Sequence, residues 1–203
     1  MSRTLVVGAQ VSIDGVMQAP GSATEDPSGD FPFGGWAMAD FGDEFSDELE
    51  VLFDEPFALL LGRKTYEIFA GFWPHADEHG EDGWIARRFN RATKYVVSRT
   101  GEVDTGWANT ILLRDLESIV RLKASAGPTL LTQGSPDLLH ALFAADLVDS
   151  LSLFVVPVIL GRGKKLFADG SAPHTFRLSR WRVSAQGLFV GHYDRAGKVE
   201  HRS

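Results

Sequence analysis

The residues from Thr129 to Phe167, TLLTQGSPDLLHALFAADLVDSLSLFVVPVILGRGKKLF, switch from strand-like to helical apolar spacing and back again. Thr129–Thr132 reads as a short buried strand, Gly134-Ser135 as a turn, and Leu138, Leu139, Leu142 and Phe143 as one helical face. Ser150–Val156 then returns to strand spacing. A glycine turn between a strand end and a helix start leaves backbone N–H groups free to hold an anion, usually a phosphate. The rest of the chain can be tested against that one requirement.

Thr4–Ser12 predicts a first strand, closed by an Asp14-Gly15 turn. Residues 18–36 are rich in Gly, Pro, Asp and Ser, yet carry Phe31, Phe33 and Trp36 beside Gly34-Gly35, which favours a lid. Asp40–Glu55 predicts a helix with Phe41, Phe45, Leu49, Leu52 and Phe53 on one stripe. The FALLL run Phe57–Leu61 predicts a strand buried on both faces, leading into a short helix through Phe69 that Trp73-Pro74 breaks. Trp84–Ala92 predicts a helix, Lys94–Ser98 and Thr110–Leu113 strands, and Leu116–Ser125 a helix stopped by Gly127-Pro128. Two alternating segments, Thr175–Ser184 and Gly187–Asp194, predict an antiparallel pair at the end.

This order predicts an α/β fold: one domain with a mostly parallel mixed sheet, flanking helices and an antiparallel C-terminal hairpin. A length of 203 residues suits one core. A formal net charge of −7 disfavours nucleic acid as a partner. The absence of cysteine excludes disulfides, thiolate catalysis and cysteine-ligated zinc. His75 and His79 lie in an acidic loop without metal-site spacing, so no metal is expected. The N-terminus offers neither a signal-peptide pattern nor a membrane span, which makes a cytoplasmic location the expectation.

Three predicted strand ends deliver related turns: Gly62-Arg63-Lys64-Thr65, Ser98-Arg99-Thr100 and Gln133-Gly134-Ser135. Each offers backbone N–H groups, a hydroxyl or a guanidinium at the sheet edge where α/β folds bind ligands. Together they suit a dinucleotide diphosphate and a ribose 2′-phosphate. A Gly-x-Gly-x-x-Gly fingerprint and a Walker lysine loop are both missing, which disfavours ordinary Rossmann and P-loop folds.

These turns, with Gln10-Val11-Ser12-Ile13-Asp14-Gly15, Leu61–Glu67 and Val97–Thr100, make the chain resemble the dihydrofolate reductase-like superfamily. Asp146-Leu147-Val148-Asp149, Val156–Gly161 and Gly163–Phe167 sharpen this. They are similar to the reductase domain of riboflavin-biosynthesis deaminase-reductases and their stand-alone relatives. The resemblance implies an NADPH-dependent oxidoreductase. Gly62, Arg63 and Thr65 would hold the diphosphate and 2′-phosphate edge, Ser98, Arg99 and Thr100 the adenosine 2′-phosphate, and Gly134 and Ser135, preceded by the cofactor-binding Gln133, the diphosphate. Ala9, Ile13, Asp14 and Gly15 would lie beside the nicotinamide. It also implies a homodimer formed through the final strands and the helix Pro136–Ala144.

Hydride transfer to a C=N or C=O bond needs a proton at the neighbouring heteroatom. Asp14 is one candidate donor, with a turn residue as the equal alternative. Asp40 is the second, with a helix N-cap as the alternative. Phe33 and Trp36 could stack on a flat substrate ring or pin the loop. Arg162, Lys164 and Lys165 could meet a substrate phosphate or simply be solvated. The expected substrate is a small planar heterocycle or a related carbonyl or imine. Reduction of 5-amino-6-(5-phosphoribosylamino)uracil or dihydrofolate itself, and a non-catalytic NADP(H)-binding module, stay as alternatives.

Overall fold

The structure, a computed structural model, describes residues 2–38, 43–54, 56–80, 83–167, 169 and 171–199. The sheet strands are β1 (Leu5–Ser12), β2 (Phe57–Gly62), β3 (Lys94–Val97), β4 (Thr110–Leu113), β5 (Thr129–Gln133), β6 (Ser150–Val156), β7 (Thr175–Val183) and β8 (Phe189–Gly197). The helices are α1 (Asp43–Leu52), α2 (Arg63–Phe72), α3 (Gly83–Arg91), α4 (Leu116–Ala124) and α5 (Pro136–Ala144). The eight strands form one sheet in the order β4-β3-β2-β5-β1-β6-β8-β7. Every pairing from β4 to β6 is parallel, and β8 runs antiparallel to both β6 and β7.

Parallel strands joined by helical crossovers are covered on both faces, and the apolar sequence shows it. Leu59, Leu60 and Leu61 are all fully buried because successive side chains enter opposite cores. Leu5, Val7, Ala58, Leu60 and Leu130 pack with Ile119 of α4 and Leu138, Leu139 and Leu142 of α5. Leu59, Leu61, Val96 and Leu131 pack on the other face with Tyr66 of α2, Ile85 and Phe89 of α3, and Phe53. Each such leucine contributes roughly 1.5–3 kcal/mol on burial.

The expected order of strands and helices holds throughout, and the differences lie at the ends of elements. The expected Asp40–Glu55 helix is seen from Asp43 to Leu52, while Asp40 itself lies outside the described residues. α2 runs past Phe69 to Phe72, and the chain then makes a 3-10 turn at Trp73–His75, with Pro74 inside that turn. β8 runs from Phe189 to Gly197 instead of stopping at Asp194, since its pairing with β7 extends to Thr175↔Gly197.

Candidate active site at the carboxyl edge of the sheet

β2 and β5 are neighbours, but their exits leave in opposite directions. α2 leads outward to β3 on one face, and α5 leads across β1 to β6 on the other. Adjacent parallel strands with diverging exits open a crevice beyond their carboxyl ends, the place where open α/β sheets bind ligands. Both helices that begin there lack a side-chain cap at their N-cap residues, Gly62 and Ser135.

Ser135 cannot cap α5 because its hydroxyl is engaged across the crevice. It accepts from the Gly62 N–H at 2.8 Å and donates to Thr65 Oγ1 at 2.7 Å. The backbone makes this reach by turning left-handed twice, at Gly134 (φ +94°) and Ser135 (φ 68°, ψ 74°). The second of these is a strained conformation for a residue with a side chain. A Cβ on Gly62 would lie 2.8 Å from Ser135 Oγ, so glycine is what allows the approach. Two helix N-termini, each with orphan N–H groups and positive partial charge, are thus held side by side. Paired N-termini of this kind are a general setting for an anion.

The β3–β4 loop extends the same edge. Ser98 Oγ lies 3.3 Å from Thr100 Oγ1, and Arg99 is exposed. Arg114, the first residue beyond β4, was not singled out from the sequence. Its guanidinium lies on Gly101, so close that a Cβ there would come within 2.2 Å of Nη1. Its only sequence signal is a basic residue one position past a parallel strand. Arg63 holds Glu67 at 3.2 Å in an exposed pair, an interaction worth about 0–1 kcal/mol that a stronger anion can displace.

The β1 end is built differently. Ala9 lies inside the strand with its methyl in the α4/α5-side core, so it offers the edge no side chain. Ile13 is 59% exposed at the edge and Gly15 turns with φ +81°. The Asp14 carboxylate accepts from Ser12 Oγ (2.7 Å), Leu160 N (3.1 Å) and Gly161 N (2.8 Å). The Ser12 hydroxyl, followed by the Leu160 and Gly161 amides, holds its pKa down to about 2. A carboxylate so held is ionised at neutral pH and ties β1 to the loop after β6. Its geometry is that of a latch and not of a proton donor.

The aromatic loop is packed down. Trp36 Nε1 donates to Gln18 O at 2.7 Å, and its ring is half-buried against Val16, Ala19 and Phe31. Phe33 is 45% exposed and meets Phe31 edge-on at 5.8 Å. Lys164 holds Asp26 and Ser28, and Arg162 donates to Gly29 O at 2.9 Å, so both basic residues fasten this loop instead of facing a free phosphate site. On α1, the fully buried Glu48 is paired with Arg180 at 2.6 Å and His192 at 3.0 Å. No group of three or more metal-binding side chains occurs among the described residues.

The family model for the RibD C-terminal domain matches residues 3–190. The chain belongs to the RibD C-terminal domain family. An uncharacterized protein, YyaP of Bacillus subtilis (strain 168), is 24% identical over 189 residues, covering 92% of each chain. Among solved structures, dihydrofolate reductase from Enterococcus faecalis, complexed with NADP(H), has a TM-score of 0.59 at 13% identity. That alignment covers 96% of this chain and 99% of the other. The Thermotoga maritima diaminohydroxyphosphoribosylaminopyrimidine deaminase/5-amino-6-(5-phosphoribosylamino)uracil reductase has a TM-score of 0.60 at 14% identity, over 96% of this chain and 57% of that one. The fold is dihydrofolate reductase-like. In this RibD C-terminal domain, then, Gly62, Thr65, Gly134 and Ser135 meet directly, with Arg63 beginning α2 and Ser98, Arg99 and Thr100 following β3 along the same edge. Ala9 and Trp36 are turned into packing.

Proposed function

We propose that this protein is an NADPH-dependent reductase acting on a small planar heterocycle or a related C=N or C=O compound. The observation that carries the reading is the crevice between β2 and β5, where Ser135 Oγ ties together two uncapped helix N-termini. Those N-termini would hold the diphosphate, while Arg99, Arg114 and Arg63, with Ser98 and Thr100, would distinguish a 2′-phosphate. A nicotinamide held beyond β1 would supply the hydride. Ile13 and Gly15 shape that end of the edge, and Asp14 fixes the loop beneath it. The reductase named in the Thermotoga protein and the NADP(H) of the Enterococcus enzyme support the same reading.

With Asp14 latched and Glu48 ion-paired, the proton on the product heteroatom is assigned to an ordered water. Steady-state assays with NADPH and a panel of cyclic imines and heterocyclic carbonyls test this: the reading requires NADPH oxidation coupled to substrate, with Asp14→Asn retaining the rate within about threefold. The engagement of the Asp14 and Glu48 carboxylates favours a second reading, an NADP(H)-binding module without turnover. Tight NADPH binding with no oxidation across the panel would select it.

Two further features belong to this proposal: a cytoplasmic location and a homodimer formed through β7, β8 and α5. Trp181 and Val183 on the outermost strand are 60% and 52% exposed, which suits such a contact. Light scattering of the purified protein would give twice the chain mass. A monomer at micromolar concentration would end the dimer proposal.

A further inference from the structure

Four buried side-chain polar atoms lack a partner among the described residues: Arg3 Nε, Gln10 Oε1, Arg88 Nη1 and Gln133 Nε2. The two arginines are otherwise engaged, Arg3 donating to Ala126 O and Arg88 pairing with Asp54. The two glutamines are different, because they lie on adjoining strands and on the same face of the sheet. Gln133 of β5 is in register with Gly8 of β1, and its amide lies against that glycine: a Cβ at Gly8 would sit 2.2 Å from Gln133 Nε2. Gln10 follows two residues along β1, on the Gly8 side, since side chains alternate along a strand.

The surroundings of the pair are apolar. Gln10 is in register with Phe154 of β6, whose ring meets Phe45 edge-on at 5.5 Å. Leu49 and Leu52 of α1 pack over the same region. Gln133 leads directly into the Gly134-Ser135 turn of the cofactor crevice. An unsatisfied buried amide atom costs on the order of 1–3 kcal/mol, so two such atoms in neighbouring positions call for a ligand that meets both.

We propose that Gln10 and Gln133 form an uncharged clamp for the reduced substrate, recognising a lactam-type edge that pairs an N–H donor with an adjacent C=O acceptor. This rests on the reductase reading above. Gln133 Nε2 donates to the ligand carbonyl and Gln10 Oε1 accepts from the ligand N–H. Each carboxamide carries one donor side and one acceptor side, so turning either amide still leaves hydrogen bonding to a neutral ring edge. Gly8 is the positioning residue, because any side chain there would displace the Gln133 amide.

The probe is quinoxalin-2(1H)-one, a planar lactam with a reducible C=N bond, set against its 1-methyl derivative, which lacks the donor. Binding is measured by calorimetry on wild type, Gln133→Leu and Gln10→Leu, each saturated with NADP⁺, and NADPH affinity is measured separately. The clamp requires at least tenfold tighter binding of the N–H compound to wild type, and loss of that discrimination in both NADP⁺-saturated variants. Equal binding of the two compounds, no binding of either, or discrimination that survives both substitutions would overturn it. Failure of wild type to bind NADPH would overturn the reductase reading instead. Thermal unfolding gives an independent measurement: removing orphaned amides raises the melting temperature of the leucine variants, whereas glutamines that serve only the fold through a buried water would make it fall.

Discussion

Ser135 shows how much of the site depends on one hydroxyl. It accepts from Gly62 N–H and donates to Thr65 Oγ1, and it does so from a left-handed backbone that costs roughly 1–2 kcal/mol for a residue with a Cβ. Ser135→Ala keeps the strain and removes both bonds, so it should weaken NADPH binding about tenfold and lower stability by about 1 kcal/mol. Ser135→Gly loses the same bonds but relaxes the backbone. Chemical denaturation should therefore find Ser135→Gly more stable than Ser135→Ala; the reverse order would mean that the left-handed turn carries no strain. Asp14 allows a pH test. Its folded pKa, about 2, lies below the ordinary 3.8. Its contribution is therefore fully present above pH 3.8 and disappears as the pH falls through 2. The stability difference between wild type and Asp14→Asn should persist from neutral pH to about pH 4 and close below it. Little of this was legible in the sequence. Asp14-Gly15 has the same letters whether it is a donor or a latch, and only the fold brings the Leu160 and Gly161 amides to it.

At the scale of elements, local pattern carried most of the information. Apolar runs such as FALLL and the helical spacing of Leu138, Leu139, Leu142 and Phe143 placed strands and helices in their observed order, because burial on two faces leaves an unmistakable composition. What pattern could not supply was long-range: that α2 and α5 begin side by side, that Arg114 lies on Gly101, and that the aromatic loop is fastened by Arg162 and Lys164. Lys94 is another such case. It opens β3, fully buried, and its ammonium donates to Phe89 O and Asn90 O at the end of α3, both at 3.0 Å, beneath the Trp107 ring. Burial pushes its pKa from 10.5 down to about 8. The unfolded chain still binds that proton between pH 8 and 10.5 while the fold has released it, so stability should rise across this window. The slope attributable to Lys94 should be on the order of 1 kcal/mol per pH unit and vanish in Lys94→Met. Parallel slopes for the two proteins in thermal melts would contradict the assignment.

For the whole molecule, the sheet order explains why one edge holds the three strand-end turns. The strands from β4 to β6 all run the same way, so their carboxyl ends and the turns that follow them are collected on one side. The antiparallel β8 and the edge strand β7 close the far side, where Arg180 and Arg182 of β7 hold Glu48 and fix α1 over the sheet. Function at this scale reduces to whether the edge selects a phosphorylated dinucleotide. The direct measurement is a fluorescence titration of wild type and the Arg63→Ala/Arg99→Ala double variant with NADPH and with NADH. The account predicts that wild type prefers NADPH by at least tenfold and that the double variant loses that preference while still binding NADH; equal affinities in wild type, no binding of either cofactor, or a preference unchanged in the double variant would contradict it.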